Sequence, residues 1–411
     1  MRISLLRERE PFGRILEETL PELMSALGGR PHTVRWYEHG SARRRRDEQT
    51  WLCNSRVNAI FRPAASRASF EPVVREFARS LRWWTRPLQR AYVAAAIRRP
   101  TAGWLADGQV GVSPPLANAD SLVILGGNHR LRVVDGAAQV CHVIAKAGTD
   151  PAFLEAELAL RRGAPDLPIP RLRSVAPSGH WFTEELIPGT PLNRLPLASE
   201  RARALAAAQG ALGRLIARTL ERVAVRDYLG SLVGRLEDAI AAAPLFSARR
   251  GSLGHTVRTL GSVVERLPGA TSLATAETHG DFQAGNVLVG RDAVWLIDWE
   301  YTGRRQAGFD LLTHRLASRF PAGLAARVHE AAGGGDRLGE AMHGWPGVDW
   351  STTEARRRAL ALFLLEELLV RVRENASPRF QALTPGTPCL LDEIDRAAER
   401  LRRWRPDTVG R

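Results

Sequence analysis

Residues 278–300 read THGDFQAGNVLVGRDAVWLIDWE, and they carry the most specific pattern in this 411-residue chain. His279, Asp281 and Asn286 form an H-x-D-x-x-x-x-N array, and Asp298 follows within an Ile-Asp-Trp-Glu sequence. Asp and Asn often do no more than cap a turn, and this structural role is the alternative to a functional one for each residue taken alone. Four such residues at these spacings instead favour a functional site.

The two short apolar runs at 287–289 and 294–297 flank a Gly-Arg-Asp turn, which predicts a β-hairpin. This hairpin would bring Asn286 and Asp298 together, and two converging oxygen ligands suit a hard cation such as Mg²⁺. In phosphoryl transfer, a carboxylate takes the proton of the attacking hydroxyl, while an amide oxygen and a second carboxylate hold Mg²⁺ on the phosphates. Asp281 is the candidate base, Asn286 and Asp298 are the candidate metal ligands, and His279 would support the loop backbone.

Composition limits the classes of protein that remain. The length suggests two or three domains. No stretch of about 18 apolar residues occurs, so we expect no membrane span. The N-terminus lacks the apolar run of a signal peptide, and the three cysteines have neither metal-type spacing nor a pairing framework. These features predict a cytoplasmic protein.

The net charge of +14 invites a nucleic-acid partner, but the distribution of this charge argues against one. Apart from a cluster at 43–46, the arginines are spread along the whole chain, and no aromatic-basic motif accompanies them. The excess of positive charge is therefore attributed to an Arg-rich composition, and it slightly favours a neutral or anionic small substrate.

Lys146 is the only lysine in the chain. Lysine differs from arginine where a compact ammonium must act as a point charge on phosphate oxygens. Its position strengthens this interpretation, because it closes the third of three apolar runs, SLVILG, LRVVD and QVCHVIAK, which predict antiparallel strands. A lysine at the end of a third strand is what kinase-like sites place on ATP phosphates. Lys146→Arg is accordingly expected to be damaging.

Four further nucleotide contacts are expected around these strands. Gly126 and Gly127 in the first turn would let backbone amides approach phosphates. A helix over 150–162 offers Glu155 or Glu157 as the ion-pair partner of Lys146, and Glu157 is preferred because its helical neighbours are apolar. Two further strands would complete a five-stranded sheet. The hinge-like segment after them makes Glu185 and Ile187 candidates for hydrogen bonds to adenine.

The flanking regions are less specific. In the first 118 residues we expect a helix at 11–27, strand-like structure at 50–61, a helix at 71–98 and a linker at 108–118. Beyond the hinge, apolar periodicity predicts helices at 198–223, 227–243, 257–267, 308–318 and 352–373.

The order of these elements, together with FTEELIPGTPL, HGDFQAGNVL, LIDWEYTG and FDLLTHRL, resembles the aminoglycoside phosphotransferase/choline kinase family over roughly residues 120–375. The resemblance implies an α+β, protein-kinase-like fold with a small antiparallel N-lobe at 119–188, a helical C-lobe at 189–411 and an N-terminal extension of unassigned role at 1–118. It implies that Asp281 is the catalytic base, that Asn286 and Asp298 bind Mg²⁺, and that Lys146 holds the phosphates of ATP. Asp310 would be a buried support for the catalytic loop.

The sequence therefore predicts an ATP-dependent kinase that phosphorylates a hydroxyl of a small molecule. Aminoglycosides, amino alcohols, sugars and cell-envelope precursors all remain as acceptors, and the sequence does not indicate the oligomeric state. The alternative function is a catalytically silent nucleotide-binding module with a regulatory or scaffold role.

Overall fold

The structure is a computed structural model that describes residues 2–38, 40, 47–63, 65, 69–70, 83–335 and 338–404. The arginine cluster at 43–46, the first part (71–82) of the helix expected at 71–98, and residues 405–411 lie outside the described residues.

Nine antiparallel strands form the main sheet of the described residues. They are β1 (Thr33–Glu38), β2 (Gln49–Asn54), β3 (Ala59–Phe61), β4 (Gly108–Ser113), β5 (Leu122–Leu125), β6 (Arg130–Asp135), β7 (Val140–Ala145), β8 (Leu172–Val175) and β9 (Trp181–Glu185). Their order is β1-β4-β2-β3-β5-β6-β7-β9-β8, so the strands of the N-terminal region continue the sheet that begins with β5. The predicted five-stranded sheet is too small, because β3 pairs with β5 and joins the strands of the N-terminal region to the same sheet. The domain boundaries at 118 and 188 stay a prediction.

The linker expected at 108–118 is also wrong, because its first half is strand β4, which pairs with both β1 and β2. Val110 and Val112 alternate with small or polar residues and are fully buried. The glycines that suggested a linker have a packing role. A Cβ at Gly108 would lie 2.4 Å from the Trp36 ring, so the cross-strand tryptophan needs a residue without a side chain there.

Helices make up most of the rest of the described chain. They are α1 (Ile3–Arg9), α2 (Phe12–Gly28), α3 (Arg86–Ile97), α4 (Arg99–Leu105), α5 (Ala152–Gly163), α6 (Ala198–Thr219), α7 (Val225–Ala242), α8 (Arg250–Arg266), α9 (Phe309–Arg315), α10 (Leu324–Gly333), α11 (Gly339–His343), α12 (Thr353–Glu374) and α13 (Thr387–Arg402). None of the helices in the described part of the chain is both long and apolar enough to cross a membrane.

Two small sheets lie among the C-terminal helices. Their strands are β10 (Thr190–Pro191), β11 (Glu221–Ala224), β12 (Ser272–Thr278), β13 (Val287–Val289), β14 (Val294–Leu296) and β15 (Gly303–Gln306). One sheet has the order β10-β13-β14 and the other β11-β12-β15. The predicted hairpin is confirmed, because β13 pairs with β14 in the register Val287↔Leu296.

Helix α12 is the centre of the helical part. Its apolar runs at 362–365 and 368–370 are buried, as the sequence predicts, and they join one large core with α6, α7, α8 and α13. Removing this apolar surface from water is the main favourable contribution to folding of this half.

Arg9, at the end of α1, connects the sheet to the helical part. Its guanidinium donates hydrogen bonds to the side chain of Asn128 and to the carbonyl oxygens of Glu374 (2.9 Å) and Ala382 (3.2 Å). It also lies 3.6 Å from the centre of the Phe380 ring. The N-terminal region is therefore packed against both halves of the molecule.

Candidate functional site

The loop between β12 and β13 is held from behind by a buried carboxylate. Asp310, on α9, accepts hydrogen bonds from the backbone N–H groups of His279 (2.7 Å) and Gly280 (2.9 Å). The His279 ring lies 2.9 Å from the carbonyl oxygen of Ile297 through Nε2, and its Nδ1 accepts from the N–H of Asp281 (3.2 Å). These contacts fix the loop that carries Asp281 against the strand end that carries Asp298.

Asp281 is surrounded by donors. Asn286 donates from Nδ2 to the backbone oxygen of Asp281 (2.9 Å) and to its Oδ2 (3.0 Å), and Gln283 lies within 3.2 Å of both carboxylate oxygens. Arg319, from the turn after α9, forms an ion pair with Oδ1. Burial raises the pKa of Asp281, and Arg319 opposes this rise.

Asp298 has a left-handed backbone (φ 67°, ψ 53°) directly after β14, which is uncommon for a residue with a side chain. Its Oδ1 accepts from Arg130 (2.6 Å) and Arg132. Burial alone would raise the pKa of Asp298, but Arg132 and Arg130 reverse the effect and hold it well below its usual range. Asp298 is therefore ionised at neutral pH.

Two cavities meet at this loop. The sheet-side cavity, of about 640 Å³, lies under β6 and β7 and reaches the segment after β9; the helix-side cavity, of about 500 Å³, lies between the loop, α12 and the start of α13. Asn286 and Asp298 line both cavities, whereas Asp281 lines the helix-side cavity. One cavity can thus hold a phosphate donor and the other an acceptor, with Asn286 and Asp298 at their junction.

The position of Lys146 contradicts the role expected for it. Its ammonium is completely buried on the opposite side of the sheet, where it pairs with Glu10 and donates to the carbonyl oxygens of Gly127 (3.2 Å) and Asn128 (2.8 Å). Side chains alternate between the two faces of a strand. Cys141 lines the sheet-side cavity, so Lys146, five residues later, lies on the other face.

Strand β6 instead supplies positive charge to the sheet-side cavity, which Arg2 and Arg161 also line. Arg130 and Arg132 line this cavity, while the intervening Leu131 is buried in the core on the opposite face. Neither arginine was predicted from the sequence. The signal was the alternation Arg-Leu-Arg-Val at 130–133, which places both guanidinium groups on one face of a strand.

The predicted ion pair between Glu157 and Lys146 is wrong, although Glu157 does face the cavity. Glu157 is buried and pairs with Arg130 and with Arg161 (2.6 Å). Burial would raise the pKa of Glu157, but Arg130 and Arg161 lower it overall. A glutamate on a helix therefore orients a cation on a strand, as predicted from the sequence, but that cation is Arg130 and not Lys146.

Of the other residues predicted to contact a nucleotide, some can do so in the structure and others cannot. Gly126 lines the sheet-side cavity, whereas Gly127 does not, and its carbonyl accepts a hydrogen bond from Lys146 on the other face of the sheet. In the hinge, the N–H of Glu185 donates to the carbonyl of Arg171 (3.0 Å) and is unavailable to a ligand. Ile187 lines the cavity, and its N–H has no hydrogen-bond partner within the described residues. Gly126 and Ile187 thus remain candidates for nucleotide contacts.

His129 gives the protein a pH-dependent stability. Its ring stacks on Phe153 with centroids 4.4 Å apart, and burial lowers its pKa from 6.5 to about 3. The unfolded chain therefore binds one more proton than the folded chain between these values. We expect the free energy of unfolding to fall as the pH decreases from 6.5 towards 3, by at most about 1.4 kcal/mol per pH unit.

Urea unfolding at pH 7 and pH 5 measures this effect, with His129→Gln as the comparison. The variant should show a smaller difference between the two pH values than the wild type. An unchanged difference would assign the acid sensitivity to other groups.

The oxygen donors at the junction fit a magnesium ion. Asn286 uses its amide nitrogen on Asp281, so its Oδ1, which accepts no hydrogen bond from the described residues, can face a cation; Arg130 and Arg132 both donate to Oδ1 of Asp298. Among the described residues, no group of three His, Cys, Asp or Glu side chains could hold a metal ion. The pair therefore suits Mg²⁺, which binds through one or two protein oxygens together with phosphates and water.

Comparison with known proteins places this site in a family. A model of the phosphotransferase enzyme family (APH) matches residues 144–350, just over half of the chain. The molecule is thus a phosphotransferase of the kinase-like α+β class. It belongs to the APH phosphotransferase enzyme family, so the family and the fold class predicted from the sequence are confirmed.

Several solved structures are similar in fold. A choline/ethanolamine kinase family protein from Mesorhizobium loti is 18% identical, with 77% of this chain and 95% of that chain covered and a TM-score of 0.42. A mutant of aminoglycoside phosphotransferase APH(4)-Ia with ADP and hygromycin B is 15% identical (71% and 95% covered, TM-score 0.43). Choline kinase LicA from Streptococcus pneumoniae is 11% identical (69% and 90%, TM-score 0.42). No curated protein matches the chain.

Proposed function

We propose that this protein is an ATP-dependent small-molecule kinase that transfers the γ-phosphoryl group to a hydroxyl. ATP occupies the sheet-side cavity, with its adenine at the N–H of Ile187 and its phosphates at Arg130 and Arg132. The acceptor occupies the helix-side cavity with its hydroxyl at Asp281. The observation that carries this proposal is the junction, where Asn286 and Asp298 line both cavities beside Asp281.

In the reaction, the acceptor oxygen attacks the γ-phosphorus as its proton passes to the carboxylate of Asp281. A new P–O bond forms, the bond to the β-phosphate oxygen breaks, and ADP leaves with the electron pair. Asn286 and Asp298 would hold Mg²⁺, which supplies positive charge to the phosphate oxygens. Most of the rate enhancement comes from positioning and from charge neutralisation by the arginines.

Arg130 has a central role in this arrangement, because it contacts Glu157, Asp298 and, at 3.3 Å, Glu300. Arg130→Met should weaken Mg·ATP binding about 10- to 100-fold, since a hydrogen bond to a charged group contributes roughly 1.5–3 kcal/mol. The fold should survive, because Glu157 keeps its ion pair with Arg161.

The decisive measurement is a thermal-shift titration with ATP and GTP, each with and without Mg²⁺, on the wild type and Arg130→Met. Arg35→Met is the matched control, because Arg35 is an exposed arginine at the far edge of the same sheet. A Mg²⁺-dependent shift that weakens only in Arg130→Met supports the proposed phosphate site. Nucleotide binding without turnover on any acceptor would instead support the silent regulatory module.

A further inference from the structure

The carboxylates around the helix-side cavity are already partnered by cations of the protein. Asp281 pairs with Arg319, Asp298 with Arg130 and Arg132, Glu300 with Arg130, and Glu374 with Arg371. An ammonium group on a substrate would have to displace an arginine to reach any of these four. The cavity is therefore poorly arranged for a polycationic acceptor.

The arginines of the same cavity are not fully partnered. Arg319 and Arg371 both line it, and in each the Nη2 nitrogen is buried without a hydrogen-bond acceptor among the described residues. The Arg371 side chain is only 10% exposed. A buried guanidinium N–H without an acceptor costs free energy, so both groups favour a ligand that supplies oxygen atoms.

These two arginines lie on either side of one carboxylate. Nε of Arg371 donates to Glu367 at 3.1 Å, and Nη1 of Arg319 lies 3.9 Å from the same oxygen. Burial raises the pKa of Glu367 to about 7, so this carboxyl carries only part of a negative charge at neutral pH. Glu367 therefore neutralises little of the charge of Arg319 and Arg371, whose carboxylate partners are Asp281 and Glu374.

The N-terminus of α13 adds to this charge. Thr384, Gly386 and Thr387, which precede and begin this 16-residue helix, line the cavity, and no side chain caps the helix at Gly386. The N-terminal end of a helix carries a partial positive charge, which attracts anions. The helix end and Arg371 belong to different elements, so they point independently to a negatively charged ligand.

The aromatic surface of the cavity also disfavours a quaternary ammonium group, which binds in cages of aromatic faces. The Tyr301 ring lines the cavity, but the Arg319 guanidinium already lies 5.7 Å from its centre. The other aromatic residue that lines the cavity, Phe320, is mostly exposed to solvent.

We propose that the acceptor is a hydroxylated small molecule with an anionic group, a carboxylate or a phosphate, that binds between Arg371, Arg319 and the N-terminus of α13. This inference rests on the proposed kinase function and specifies its substrate class. The anionic group anchors one end of the acceptor, and the hydroxyl at the other end reaches Asp281.

The test measures binding with the nucleotide site already filled. In saturating Mg·ADP, the protein is titrated with gluconate, glucose 6-phosphate, glucose and glucosamine, so that anions cannot report on Arg130 and Arg132. We expect at least one of the two anionic probes to bind ten times more tightly than glucose, and glucosamine to bind no better than glucose. Gluconate and glucose 6-phosphate distinguish a carboxylate from a phosphate site.

Variants on α12 then locate the site. Arg371→Met should abolish the preference for anions, and Arg371→Lys should retain part of it because the charge remains. Arg358→Met is the matched control, since Arg358 is a buried arginine of the same helix that donates instead to the carbonyls of Leu267 (2.9 Å) and Pro268 (2.6 Å). It should leave the preference unchanged.

The outcomes separate this inference from the kinase proposal. If wild-type protein that binds Mg·ADP prefers glucosamine, or binds all four probes equally or not at all, the anionic acceptor is wrong while the nucleotide site stands. If Mg·ADP itself does not bind, the kinase proposal fails first. An anion preference that survives in Arg371→Met would place the anion elsewhere and overturn the site proposed here.

Discussion

Replacing Asp281 by Asn should abolish most phosphoryl transfer while nucleotide binding is kept. We expect the turnover number to fall about 10²- to 10⁴-fold, the usual contribution of a positioned general base. Asparagine has nearly the same shape and can still contact Arg319, Gln283 and Asn286, but it cannot take the proton of the acceptor hydroxyl. Because Asp281 lines the helix-side cavity and not the sheet-side cavity, the affinity for Mg·ATP should change little.

The measurement is ADP release with a productive acceptor, alongside a nucleotide titration of the same variant. Asp292→Asn is the control, because Asp292 is an exposed aspartate in the turn of the β13–β14 hairpin. It should match the wild type in both assays. Full activity in Asp281→Asn would remove Asp281 from the role of base.

The second large effect is expected at Lys146, on stability. Lys146→Met leaves Glu10 buried and without its cation, and breaking a buried ion pair by removing one partner typically costs about 3–5 kcal/mol. Burial already lowers the pKa of Lys146 and raises that of Glu10, which shows how unfavourable this environment is for an unpaired charge. The affinity for ATP should be unchanged in the folded variant.

Urea unfolding tests this prediction, and a double variant gives it a control. Adding Glu10→Gln to Lys146→Met removes the unpaired charge, so the double variant should recover a large part of the lost stability. A stable Lys146→Met protein that binds ATP weakly would restore the phosphate-binding role expected from the sequence. Lys146→Arg should still be damaging, because the larger guanidinium does not fit the fully buried site, but the damage should be to folding.

The local sequence predicts the individual strands and helices of this protein better than it predicts which of them lie side by side. The hairpin between Asn286 and Asp298 was predicted because both strands and their turn lie within a dozen residues. The nine-stranded sheet was not, because the pairing of β3 with β5 joins segments about 60 residues apart, and glycines in β4 resemble a linker. Long-range pairing of this kind leaves little signal in one sequence.

At the functional site, too, local features were predicted and long-range contacts were not. The H-x-D-x-x-x-x-N array placed Asp281 and Asn286 correctly beside each other, since both belong to one short loop. Lys146 was wrongly expected in the cavity because the lone lysine was weighed by its rarity and not by the face of its strand, which is the opposite one. Arg319 and Arg371 were missed as cavity residues because they come from segments far apart in sequence, and only the packing of α12 against the turn after α9 brings them together.

The contacts of Arg9 and Glu10 have a consequence for engineering. This N-terminal region would not function as an independent module in relatives that share only the matched segment 144–350, because Glu10 completes the ion pair of Lys146 and Arg9 donates to Asn128. A chimera must transfer Glu10 together with Lys146, and Arg9 together with Asn128. Otherwise, exchanging the whole N-terminal region would leave buried charges without partners on both sides of the junction between the two parts of the chimera.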